Sequence, residues 1–115
     1  MRRGDIVSVS QNPSRRSGAS KTRTAVIVSN DAANTIAARL GRGVITVVPV
    51  TSNVARVYPF QVLLPADRSG LNRDSKAQAE QVRSIAVERI GERIGRLPAN
   101  IMAELDDALR LHLAL

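Results

Sequence analysis

Two stretches of this chain carry side chains suited to work on a phosphate. Arg23 stands just ahead of an apolar run, Thr24-Ala-Val-Ile-Val-Ser29, and a hydroxyl pair, Thr51-Ser52, closes a second run, Val44-Ile-Thr-Val-Val-Pro-Val50. A guanidinium is a planar, permanently charged fork that matches phosphate oxygens, and a threonine hydroxyl can add a donor to the same oxygens. Such a pair can neutralise charge that develops on a phosphate during reaction. Taken alone, Arg23 also fits an ordinary loop arginine, and Thr51-Ser52 an ordinary strand-end turn. The one histidine, His112, falls in the last turn of a C-terminal helical pattern, where a structural or dipole-complementing role suits it. Ser17-Gly-Ala-Ser-Lys21-Thr22 lacks the first glycine and the Gly-Lys step of a phosphate loop. Asp106-Asp107 reads as helix surface, so no metal site is expected.

What joins the two candidates is the pairing of their strands. If the strands lie adjacent and antiparallel, the start of one is beside the end of the other, and Arg23 meets Thr51 at one sheet edge. A parallel crossover puts them at opposite ends. Residues 30–42 permit either. They read as a short helix, with Ser29 or Asn30 as N-cap and Gly41 ending it in the left-handed region.

The remaining elements follow in order. Asp5–Ser10 alternates as a short strand, and 11–22 is a loop carrying Arg15, Arg16 and Lys21 among small residues. The nearly continuous apolar run 44–50 suits a strand covered on both faces. Phe60–Leu64 reads as its antiparallel partner after a loop containing Arg56, and 65–72 is turn material. Residues 75–85 read as one long half-polar strand, either a solvated sheet face or the floor of a binding surface. Arg93–Leu97 is a short strand. Pro98 suits the first helical position, and Ile101, Leu105 and Leu109 form a stripe with Met102 beside it. The sum is a small curved sheet or partial barrel closed by the C-terminal helix.

Composition narrows the field. A chain of 115 residues reads as one domain, 1–115, with a core of Val, Ile, Leu and Ala because Tyr58 and Phe60 are the only aromatics. Phe60, opening an apolar strand, reads as core. No run approaches the roughly 18 apolar residues of a membrane span, and no apolar leader follows Met1-Arg-Arg-Gly4. The absence of cysteine excludes disulfides and Cys-based zinc sites, and a cytoplasmic location is expected. Seventeen Lys and Arg against ten Asp and Glu give +7, mostly from arginine, which points to nucleic acid or an acidic protein partner.

At this point the residues resemble the MazF/PemK toxin family of bacterial toxin–antitoxin systems. Arg3-Gly4-Asp5-Ile6 looks like the family's opening strand, and Pro13 like its first loop. Arg23 followed by Ala25-Val-Ile-Val-Ser29-Asn30-Asp31 is similar to its "RPavVvSnd" segment, and Val48-Pro-Val-Thr51-Ser52 to its "vPvTs". Tyr58-Pro59-Phe60, Glu80-Gln81-Val82-Arg83-Ser84-Ile85 and Ile94-Gly95-Arg96-Leu97 complete a set spread over nearly the whole chain.

The resemblance implies a mainly β fold with helices, an SH3-like small β barrel of the MazF/CcdB type with a short internal helix and a C-terminal helix, acting as a homodimer. It implies an endoribonuclease (mRNA interferase) that cuts single-stranded RNA at chosen sequences, arrests growth and is blocked by a cognate MazE-like antitoxin. By position, Arg23 and Thr51 match the family's catalytic pair, and Ser17, Glu80 and Gln81 match positions that touch RNA. RNA carries its own nucleophile, the 2′-hydroxyl, so no cofactor or metal is expected; the enzyme must align that hydroxyl and stabilise the phosphate oxygens. Arg15, Arg16 and Lys21 would track the backbone, with Ser52 beside Thr51, while Glu80 and Gln81 read bases. Three departures stand out: Thr24 replaces the family's proline, the "GSE" motif falls on Arg16-Ser17-Gly18, and the acidic residue often found before the loop proline is Asn12. A loop richer in base could alter sequence choice, favour structured RNA or weaken catalysis. Two other readings remain: a CcdB-like toxin that poisons gyrase without cutting, and an RNA-binding protein with a degraded site.

Overall fold

The computed structural model describes residues 1–11 and 21–115. In chain order these form β1 (Asp5–Ser10), β2 (Thr22–Ile27), α1 (Asp31–Leu40), β3 (Val44–Thr51), β4 (Gln61–Leu64), α2 (Ala66–Ser69), β5 (Ser75–Gln78), β6 (Arg83–Ala86), β7 (Ile90–Arg96) and α3 (Ala99–Leu113). The strands join one antiparallel sheet in the order β4-β5-β3-β2-β1-β7, and β6 also pairs with β3.

Both faces of the central strands are covered, which is why β-branched residues fill them. On one face Ile6, Val26, Val48 and Leu64 pack with Ile101, Leu105 and Ala108 of α3. On the other, Val7, Val9, Ala25, Ile27, Ile45 and Val47 meet Ala37 of α1 and Ile85 of β6. Alternate residues of β1, β2 and β3 thus serve two cores.

Of the two pairings the sequence allows, β2 and β3 adopt the antiparallel one, with Val26 opposite Val48 and Thr24 opposite Val50. The cause lies at the start of α1. The Asn30 side chain caps the helix by accepting from the Ala33 amide at 2.8 Å, and Gly41 ends it at φ 69°. Asn34, fully buried, donates to the Ser29 carbonyl at 2.9 Å and accepts from the Ser29 hydroxyl. That hydroxyl also accepts from the Thr46 amide at 3.1 Å. A buried amide with its partners satisfied therefore ties the helix start to β3 and turns the chain back beside β2.

Five features depart from the sequence expectation. β4 pairs with β5 and not with β3, because β5 occupies the β3 edge. The long strand expected over 75–85 is two strands: Thr51 faces Lys76, but Val47 faces Arg83, and the 3-10 turn Ala79–Gln81 absorbs the extra residues. Pro49 sits on β3 between those two paired stretches, where its missing N–H costs no ladder bond. The small β barrel that the resemblance implies is left open among the described residues: β4 and β7 are the ends of the sheet, and α2 lies across the gap, its Ser69 carbonyl so near Gly95 that a β-carbon there would collide. Pro98 is the N-cap of α3, one place before the position its sequence suggests. Phe60 belongs to neither core and stacks on Tyr58 instead.

The N-terminus is clamped by charge. Arg3 pairs with Asp106 of α3 at 2.6 Å, and its amide donates to Asp31 at 2.7 Å. That amide bond holds the exposed Asp31 carboxyl below the usual carboxylate range, against a smaller opposing effect of desolvation. The sign follows: a lowered folded pKa stabilises the fold above the unfolded value and loses that effect as pH falls through the folded one. Asp31→Asn keeps the acceptor and removes the charge. Denaturant melts should show it less stable than the parent at neutral pH, with the difference shrinking as pH falls below the ordinary Asp value of about 3.9; a pH-independent gap would contradict the assignment.

Candidate active site

One step beyond the Thr24–Val50 pair, the β2–β3 register sets Arg23 opposite Thr51. Both follow the alternation of Ala25 and Pro49, on the α1 face of the sheet. They stand where two grooves meet, and each lines both. The first groove, of about 310 Å³, has Val9, Ala25, Val47 and Ile85 in its floor and Gln78, Arg83 and Arg89 around it. The second, of about 430 Å³, is rich in hydroxyls from Thr22, Thr24, Ser52 and Ser75, with Asn72 and Arg73. No Asp or Glu lines either groove among the described residues, and residues 12–20 contain none in sequence. A polyanion laid across this edge meets positive charge and hydroxyl donors on both sides.

Backbone contacts orient the pair's surroundings. The Thr51 hydroxyl oxygen accepts from the Asn53 amide at 3.2 Å, which leaves its proton to donate outward. Arg89, half-buried, donates through Nε to the Ser10 carbonyl at 2.6 Å, fixing its guanidinium at the groove wall. Arg83 stands opposite Val47 on β6 and is exposed. Thr24, where the resembling family carries proline, is among the residues lining both grooves.

Of the residues singled out in the sequence, Arg23, Thr51 and Ser52 come together at the second groove. Lys21 is exposed beside β2, outside both linings, its carbonyl accepting from the Gln11 amide. Glu80 lies in the 3-10 turn, where one carboxylate oxygen accepts from Gln61 at 2.8 Å and the other is buried without a partner among the described residues. Gln81 is exposed, and its carbonyl receives a long contact from Arg83 Nε at 3.4 Å. Neither lines a groove. Arg15, Arg16 and Ser17 lie outside the described residues. Among the described residues no three His, Cys, Asp or Glu side chains cluster to hold a metal ion, and no helix is long and apolar enough to cross a membrane.

Arg83 and Arg89 are the residues that linear reading passes over. The half-polar stretch that contains Arg83 was one signal, but only the fold of β6 over β3 delivers both arginines to the groove beside Arg23.

Residues 2–113 match the family of PemK-like, MazF-like toxins of type II toxin–antitoxin systems. The chain is 64% identical over 115 residues to Endoribonuclease MazF9 of Mycobacterium tuberculosis H37Rv, covering 100% of this chain and 98% of that protein. It is 28% identical to Endoribonuclease EndoA of Bacillus subtilis, over 100% of this chain and 96% of the relative. Among solved structures it resembles MazE-MazF from Deinococcus radiodurans at a TM-score of 0.75 and 27% identity, covering 100% of this chain and 97% of that one.

If the first groove is a phosphate channel, Arg83→Ala and Arg89→Ala each weaken binding of a single-stranded RNA oligomer. Each should also flatten the slope of log affinity against log salt by about 0.7. A salt slope unchanged in both variants would remove these arginines from the contact surface.

Proposed function

The chain belongs to the PemK-like, MazF-like toxin family and is an endoribonuclease of a toxin–antitoxin system, and on that premise we propose that it cuts single-stranded RNA at the sheet edge where Arg23 and Thr51 meet. The observation that carries this reading is the position of that pair at the junction of two grooves lined by arginines and hydroxyls and by no carboxylate.

In the proposed reaction the 2′-hydroxyl oxygen attacks the adjacent phosphorus in line with the departing 5′-oxygen. A P–O2′ bond forms and the P–O5′ bond breaks. The 2′-hydroxyl proton passes to water and the 5′-oxygen acquires one, leaving a 2′,3′-cyclic phosphate and a 5′-hydroxyl. Arg23 holds the non-bridging oxygens in a bidentate grip and Thr51 donates to one of them, so negative charge in the transition state meets fixed donors. With a pKa above about 12, a guanidinium is a poor base, which makes charge stabilisation the main role of Arg23. Arg83 and Arg89 hold flanking phosphates along the first groove. The reaction takes nothing from a metal.

The same reading extends to partners. A homodimer fits the exposed Ile94, Leu111 and Leu113. A MazE-like antitoxin that presents acidic side chains would compete with RNA for the basic edge in the cytoplasm.

The test is cleavage of a pooled RNA library in EDTA with the ends sequenced. Arg23→Ala should lower the rate about 10²–10³-fold, and Thr51→Val less, with cyclic-phosphate and 5′-hydroxyl ends from the parent. Ends bearing 3′-hydroxyls, or activity abolished by EDTA, would refute the mechanism.

A further inference from the structure

The chain's only aromatic residues, Tyr58 and Phe60, are set against each other on the loop between β3 and β4. Their rings stack with centroids 5.4 Å apart and planes 4° from parallel, and Tyr58 remains 41% exposed. The loop beneath them is pinned. Gln61 accepts from the Tyr58 amide through its side-chain oxygen at 3.1 Å and donates its own amide to the Tyr58 carbonyl at 2.8 Å. Lys76 donates its ammonium to the Arg56 carbonyl at 2.5 Å.

Lys76 is the unusual member. It is a strand lysine only 8% exposed, and its ammonium sits by a carbonyl and 6.0 Å from the Tyr58 ring centre instead of by a carboxylate. Withdrawing an ammonium from water carries a cost that a surface lysine avoids, and here it holds the loop in one geometry. The Arg56 guanidinium lies 5.7 Å from the same ring centre and donates to the Tyr58 hydroxyl at 3.1 Å.

The registers place this patch relative to the active site. Thr51 faces Lys76 across β3 and β5, so Arg23, Thr51 and Lys76 form a row on one sheet face. With strands about 4.8 Å apart, the Lys76 end of the row is roughly 10 Å from Arg23. That is a distance a neighbouring nucleotide spans.

We propose that the Tyr58–Phe60 stack, with Arg56 and Lys76 beside it, is a subsite that stacks an unpaired nucleobase of the RNA next to the scissile phosphate. It rests on the endoribonuclease reading and adds where the flanking nucleotide is gripped. An aromatic face accepts any base, the exposed Arg56 serves its phosphate, and Lys76 holds the loop beneath. An acidic peptide would use the exposed Arg56 but has no need of a pinned aromatic pair, and the row shared with Arg23 and Thr51 points along a substrate strand.

The single tyrosine makes the test specific. Protein carrying 3-fluorotyrosine gives one ¹⁹F resonance, and the probe is a pool of single-stranded 2′-O-methyl RNA decamers, which lack the nucleophile and stay intact. Saturable ring-current displacement of that resonance is expected. Tyr58→Ala should weaken binding of the pool about 5- to 100-fold, with Tyr58→Phe close to the parent and unchanged melting confirming the fold. An unmoved resonance and unchanged affinity of Tyr58→Ala, with parent cleavage intact, would overturn the subsite and leave the nuclease reading standing. If Tyr58→Ala keeps its RNA affinity but escapes inhibition by antitoxin, the patch belongs to a protein partner and the proposal fails. A parent protein that neither binds nor cuts RNA would bring down the nuclease reading and the subsite with it.

Discussion

Val26 and Val48 face each other in the β2–β3 ladder with no exposed surface, and that ladder decides where Arg23 and Thr51 stand. Because strand side chains alternate, a slip of one residue would send Arg23 to the α3 face and Ala25 and Ile27 out of their core. Each fully buried aliphatic residue contributes about 1.5–3 kcal/mol, whereas an exposed ion pair contributes about 0–1 kcal/mol. Hydrophobic burial therefore fixes the register, and the site's charges are carried to their places by it. Asn34 and Ser29 supply the polar part of the constraint by tying the helical connection to Thr46.

The arginines divide by their surroundings. Arg3 and Arg96 are paired with carboxylates, Asp106 and Asp5, both at 2.6 Å, and secure the N-terminal segment to β7 and α3. Arg23, Arg83 and Arg89 line a groove without carboxylates, and Arg89 is steadied by a backbone carbonyl. Three arginines thus stand where a phosphate backbone can neutralise them, at the start of β2, on β6 and just after it. A groove of this kind favours a polyanion at modest salt and weakens steeply as salt rises.

Much of this was legible in the sequence because it is local. Asn30 and Gly41 bound their helix by side-chain and backbone preferences that act within one turn. The apolar run at 44–50 matches a strand covered on both faces, and Arg23 and Thr51 stand out by residue type. Pairing partners are less legible. Phe60–Leu64 has the pattern of a β3 partner, but β5 takes that edge, and no feature of either segment reveals the choice. The break at Ala79–Gln81 arises from a three-dimensional need to pair with β3 at two registers, which strand alternation does not encode. Arg83 and Arg89 gain their place only through that break. The open sheet has the same origin: α2 and Gly95 meet in the gap through a contact between residues far apart in the chain.

The most direct test of this account is a double-mutant cycle on Arg23→Ala and Thr51→Val, read by single-turnover cleavage of RNA. If the β2–β3 pairing makes the two side chains one device on the same phosphate, their effects are non-additive, with a coupling of about 0.5–3 kcal/mol. Strictly additive losses would mean that Arg23 and Thr51 act separately, and the shared site at the sheet edge would have to be abandoned.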